Sequence, residues 1–145
     1  MESMLPVLDY YHVAYEPVPP LLRGANSRPL SAEEITISSE MLLQTATRYR
    51  CPYWLLEGRQ HVREQPQALH DWMREDFFPR VQLALDQRPC VAFMVSPEVW
   101  AGLPNKGYPN PLTWQTYAMH LAWFTDEDPA LAWLAKQRAQ LPARQ

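Results

Sequence analysis

The chain is 145 residues long, 47% apolar or aromatic and 20% charged, with a formal net charge of −3. That length suits one domain, which by area scaling buries about 69% of the surface of its unfolded chain, so whole-chain disorder is excluded. Two cysteines are too few for a disulfide framework, the acidic balance argues against a duplex nucleic-acid binder, and no apolar stretch approaches the length of a membrane span.

The composition is odd in one respect: 15 Pro stand against 4 Gly, beside 6 Trp. Proline without glycine does not make a flexible linker. The 11 arginines and two lysines (Lys106, Lys136) are scattered, so no polybasic lipid-binding patch is formed. The start of the chain carries Glu2 and Asp9 and no basic cluster, and so does not read as a signal peptide. A cytoplasmic protein with reduced thiols is expected.

Val7 to Tyr15, rich in Val and Tyr, predicts a strand that Pro17, Pro19 and Pro20 stop. Leu21-Leu22-Arg23, ending at Gly24, suggests a second, antiparallel strand. Ser31-Ala32-Glu33-Glu34 is a capping box, in which each side chain satisfies the other's backbone N–H. Ile35, Ser38, Met41, Leu42, Thr45, Ala46 and Tyr49 follow at helical spacing, predicting a helix from about 32 to about 49, and Pro52 cannot continue it.

Tyr53-Trp54-Leu55-Leu56 is a short apolar run suited to a strand buried on both faces. Residues 57–64 are polar and read as a loop. From Pro66, Leu69, Trp72, Met73, Phe77, Val81, Ala84 and Leu85 keep one helical phase to about residue 86. Pro79 lies inside that phase, which its continuity reads as a kink rather than a break. Cys90 to Val95 predicts another buried strand. Ser96 as N-cap with Pro97 at the first helical position opens a helix of a turn or two. Residues 102–111, GLPNKGYPNP, form a loop, and 112–119 fit either a helical segment or a strand. His120 to Phe124 is the last strand. Thr125, as a cap, and the acids after it open a final helix to about residue 138. This alternation predicts one α/β domain spanning residues 1–145, with a mixed sheet of four to five strands, parallel pairs within it and helices packed on it.

Three segments carry a resemblance: Tyr53-Trp54-Leu55-Leu56-Glu57; Trp72-Met73-Arg74-Glu75-Asp76-Phe77-Phe78-Pro79-Arg80; and Phe124-Thr125-Asp126-Glu127 running into Ala132-Trp133-Leu134. Together, across roughly residues 7–138, they resemble small bacterial proteins of the STAS-like group, relatives of the anti-sigma-factor antagonists and of Sec14-like domains. The resemblance implies a layered α/β domain. In the better-known antagonists a phosphorylatable Ser or Thr at the helix start after a central strand switches partners. The matching region here, Glu57 to Pro66, holds neither residue type, and Ser96 after the next strand is the nearest alternative.

The candidate binding residues are few. Arg59, His61 and Arg63 alternate in the loop after the Trp54 strand, a position where open α/β sheets hold ligands, and could grip an anion or an acidic partner; a solvated loop paired to Glu57 and Glu64 is the plainer reading. Ser96 reads as an N-cap. Trp100 and Trp114 bracket the Pro/Gly loop and are the best candidates for an exposed aromatic surface, whereas Trp54, Trp72, Trp123 and Trp133 read as core. The four histidines form no metal-ligand spacing, no glycine-rich phosphate loop exists, and no Gly-x-Ser-x-Gly occurs. No metal, cofactor or catalytic residue is expected. The leading expectation is a non-catalytic module acting through protein–protein contacts, with a homodimer as one form. The alternative is a small-molecule or lipid-binding domain with a pocket near residues 100–114. An enzyme would require Ser96 or Cys90 within hydrogen-bond reach of a histidine.

Overall fold

The computed structural model describes residues 8–59, 65–102, 113–116 and 118–140. The order is β1 (Tyr11–Pro17), β2 (Pro20–Asn26), α1 (Ala32–Tyr49), β3 (Tyr53–Glu57), α2 (Gln67–Trp72), a π-helical turn (Met73–Phe77), α3 (Phe78–Leu85), β4 (Cys90–Met94), α4 (Pro97–Gly102), β5 (Thr113–Gln115), β6 (His120–Phe124) and α5 (Glu127–Gln140). The expected α/β layering with a mixed sheet is present. Among the described residues the sheet has six strands in the order β1-β2-β3-β4-β6-β5. The segment 112–119, ambiguous in sequence, supplies the three-residue edge strand Thr113–Gln115.

β1 and β2 form an antiparallel hairpin whose last pair is Pro17↔Pro20, across a tight turn at Val18-Pro19. The prolines therefore close the hairpin, and β1 runs to Pro17 rather than ending at Tyr15. β2, β3, β4 and β6 are parallel neighbours, and β5 is antiparallel to β6.

α1 starts where its capping box places it. The Glu34 N–H donates to Ser31 Oγ at 3.1 Å and the Ser31 N–H to Glu34 Oε1 at 3.0 Å. Arg28 forks onto the same carboxylate at 3.0 and 2.9 Å. Arg50, in the left-handed region at φ 54°, closes the helix before Pro52.

The register aligns Leu22, Trp54, Val91 and Leu121 across the four parallel strands, so all four face one side of the sheet. Trp54 is fully buried, and its indole N–H donates to the Cys51 carbonyl at 2.9 Å. Phe77 and Phe78 both lie 6.3 Å from its ring. The π turn allows this double contact. Pro79 has no N–H to donate and would crowd the carbonyl four residues back in an ordinary α-helix. The wider turn absorbs it, with the Phe78 N–H donating to the Met73 carbonyl five residues back. The helical run thus continues through Pro79 by a widened turn.

The opposite face carries Tyr53 and Leu55, Cys90, Ala92 and Met94, and His120, Ala122 and Phe124. Here α5 lies across β3, β4 and β6. Ala92 and Ala122 offer no bulk, which lets the helix bring Ala130 and Leu134 to complete burial.

Two measurements test these constraints. The folded Glu34 carboxyl sits at a pKa of about 2 instead of 4.5, chiefly through the Arg28 hydrogen bond and then the Ser31 N–H. Because the folded value is the lower, its contribution is present above about pH 4.5 and lost as pH falls toward about 2. Glu34→Gln, which keeps a capping side chain, should flatten that part of the acid limb in urea unfolding. A methyl at Gly58 would meet Phe93 Cε1 at 2.7 Å and the Met94 carbonyl oxygen at 2.9 Å, whereas one at Gly102 meets nothing within 4 Å among the described residues. Gly58→Ala should cost about 1–3 kcal/mol in thermal unfolding. Gly102→Ala should leave stability unchanged or raise it by up to about 1 kcal/mol.

Candidate functional site

The carboxyl ends of β3, β4 and β6 meet in one rim. The Gly58 N–H donates to the Met94 carbonyl at 2.7 Å and the Val95 N–H to the Phe124 carbonyl at 2.8 Å. Residues 57–59, 95–97 and 124–127 are thereby neighbours.

Arg59 is on this rim, and its guanidinium is already engaged. Nη2 donates to Glu57 Oε1 at 2.6 Å, Nε to both carboxylate oxygens at 3.0 Å, and Nη1 to the Thr125 carbonyl at 3.3 Å. Its backbone N–H adds a bond to Glu57 Oε2 at 2.7 Å. Partial burial pushes the Glu57 carboxyl up, but these bonds outweigh it and hold the group below its ordinary value. Arg59 therefore ties β3 to the start of α5, and an incoming anion would have to displace a carboxylate. His61 and Arg63 lie outside the described residues, as does Glu64.

A second ion-pair row borders the rim. Arg23, on β2, donates to Glu16 on β1 and to Glu127 on α5, the latter at 3.3 Å. α5 begins at Glu127, so Asp126 immediately precedes it, and the Thr125 hydroxyl donates to the Asp126 carboxylate instead of capping. At the end of β2, Asn26 is buried. Its amide donates to the Arg28 carbonyl at 2.8 Å, and its Oδ1 accepts from nothing among the described residues.

Ser96 does what an N-cap does. It is 8% exposed, and its Oγ accepts from the Val99 N–H at 3.2 Å. A kinase would have to unwind α4 to reach that hydroxyl. Four residues on, Trp100 is 42% exposed, on a helix with no buried residue. Trp54 and Trp123 are buried and Trp72 and Trp133 are partly covered. Trp114 lies in β5 opposite Leu121, and its side chain falls outside the described part, as do residues 103–112.

The thiols sit at the other end of the sheet. Cys51 and Cys90 are free and buried. Burial pushes the Cys90 thiol up to about 11 and raises that of Cys51, whose Sγ donates to the Tyr53 carbonyl. Cys90 pairs in register with His120, but the imidazole stands edge-on to Trp133 at 5.0 Å. Burial, then the nearby Arg88, lowers the His120 pKa. No hydrogen bond joins Cys90 or Ser96 to a histidine among the described residues, nor do those residues gather three metal-ligating side chains.

The strand order gives a further constraint. The parallel strands follow one another in chain order, with no reversal of direction. A crevice at the carboxyl edge of an open sheet forms where that order reverses. A groove of about 360 Å³ does occur elsewhere, on α1, lined by Leu8, Thr36, Ile37, Glu40, Met41 and Gln44.

Sequence reasoning missed two features. One is the clamp of Arg80, which joins α3 to Glu40 on α1 at 3.0 and 2.6 Å and lies 5.8 Å over Trp72. The Asp76–Arg80 spacing of four was a readable signal for part of it. The other is the Glu16–Arg23–Glu127 row, which joins residues far apart in the chain.

Both thiols should react slowly with a disulfide reagent near neutral pH in the native protein and rapidly after guanidinium unfolding, since burial and a raised pKa both withhold the thiolate. Fast native labelling of either would contradict this geometry. No family model, no curated protein and no solved structure matches this chain.

Proposed function

We propose that the protein is a STAS-like module that acts without catalysis, through protein–protein contacts at the carboxyl rim of its sheet, in a cytoplasmic setting. The observation that carries this reading is Trp100. A 42% exposed indole on a six-residue helix with no buried residue contributes little to the core, and that helix follows directly on the carboxyl end of β4. Exposed tryptophans are enriched among contact hot spots.

Electrostatics favour the same reading. The described rim arginines, Arg23 and Arg59, are paired within the chain, so at those positions the surface presents hydrogen-bonded ion pairs. Such a surface suits a partner with its own mixed polar rim and an apolar centre. Phosphate switching at Ser96 is disfavoured, because the hydroxyl is buried and engaged.

The binding-domain alternative places a pocket by residues 100–114, most of which lie outside the described part. The enzyme alternative has no support from Cys90, whose thiol is held protonated.

Affinity capture from native lysate, coupled to native mass spectrometry, discriminates these readings. A stoichiometric protein partner is expected to be retained by wild type and by Leu83→Ser, a change at a residue 76% exposed on α3. The same partner should be lost at least about tenfold with Trp100→Ala, the usual scale for an aromatic hot spot. Co-purification of a small molecule with no protein, or capture indifferent to Trp100, would overturn the proposal.

A further inference from the structure

Among the described residues the sheet has two edges, β5 with three residues and β1 with seven. An open strand edge is a template for another chain, and short length is one way proteins blunt it. β5 is blunted in that way and β1 is not.

The hydrogen bonding of β1 is fixed by the hairpin. The Ser27 N–H donates to the Tyr10 carbonyl at 3.0 Å, so in the antiparallel ladder the even residues 10, 12, 14 and 16 bond toward β2. Tyr11, Val13 and Tyr15 then direct their N–H and C=O groups away from the sheet, and no described strand takes them up. Their side chains face α1, where Tyr15 stacks on Tyr49 at 4.2 Å. His12, Ala14 and Glu16 lie on the other face, which α5 leaves uncovered because it packs on β3, β4 and β6. His12 and Ala14 are exposed.

We propose that β1 is the docking edge for a second copy of this chain, paired antiparallel to its own β1 about a twofold axis at Ala14. The edge is self-complementary in that register. Val13 faces Tyr15 of the second copy and the reverse, which gives four backbone hydrogen bonds from groups that already point outward. Ala14 faces its own counterpart, where a small side chain fits the closest approach of two strands. His12 faces Glu16 of the second copy, twice, and so extends the Glu127–Arg23–Glu16 row across the axis. Beyond the strand, Val18, which is 89% exposed, is brought toward Tyr10 of the second copy. A register centred on Val13 instead sets His12 opposite Ala14 and loses the pairing of His12 with Glu16. The product is one continuous sheet of twelve strands, with both carboxyl rims left free.

Ala14 is exposed, so substitutions there spare the fold. Sedimentation equilibrium should show a dimer for the wild type. Ala14→Lys and Ala14→Glu should each raise the dissociation constant by about tenfold or more, since like charges then meet across the axis, and mixing the two variants should restore association. Ala14→Cys should form an intermolecular disulfide under mild oxidation while Val13→Cys does not, because only the Ala14 register juxtaposes the former; the native cysteines are buried and do not confuse the reading. A monomer at all accessible concentrations, or a dimer that Ala14→Lys leaves intact, would overturn the proposal. Either result would leave partner capture through Trp100 as it stands, and loss of that capture would leave this dimer as it stands.

Discussion

Trp54 has to be buried at the centre of the sheet, with its one polar atom satisfied, and much of the fold follows from that requirement. Its N–H reaches back to the Cys51 carbonyl, which fixes how the chain turns from α1 into β3. Its ring needs apolar cover on the α3 side, and two adjacent phenylalanines supply it. Consecutive residues on a regular α-helix point about 100° apart. The π turn at 73–77 widens the helix just there and accommodates Pro79 at the same step. Arg80, placed one residue on, then clamps α3 to Glu40 on α1 while lying over Trp72 and Phe77. One large side chain thus links a strand, a helical irregularity and an interhelical ion pair.

The two ends of the sheet are chemically unlike. At the amino end, cysteine, tyrosine and histidine line up across β3, β4 and β6 beneath α5. Burial keeps the Cys90 thiol protonated and favours the neutral His120 imidazole, so these groups pack as apolar bodies with weak polar tips. At the carboxyl end the strands stop at Glu57, Met94 and Phe124, and the chain around them is stitched by Arg59 and Arg23.

Among the described residues this carboxyl end forms a rim, and the topology accounts for that. A run of parallel strands laid down in chain order offers no place where successive connections diverge to opposite faces. The exposed surface there is made instead by short connections such as α4, which buries none of its residues. The hairpin extends the parallel run by one antiparallel strand, and that addition moves the sheet's long free edge from β2 to β1.

Much of the fold was legible locally. Ser31 and Glu34 mark the start of α1 because the capping box is a contact between neighbours in sequence. Ser96 and Pro97 mark the start of α4 for the same reason. The apolar runs at 53–56 and 90–95 read as strands because burial on both faces leaves no polar alternation. The polar pairing of Arg59 with Glu57 was visible too, being two residues apart. What the chain by itself determined was therefore the α/β class, most element positions and the structural work of Ser96. Tertiary structure decided the rest. It set a π turn just before Pro79, where two phenylalanines meet one tryptophan. It recruited 113–115 as a sixth strand, because β6 had a free edge. It joined Arg23 to Glu127, 104 residues away, because the register brings β2 and α5 to one rim. And among the described residues it left β1 without a neighbour on its outer side, a property of the sheet's order that no local pattern encodes.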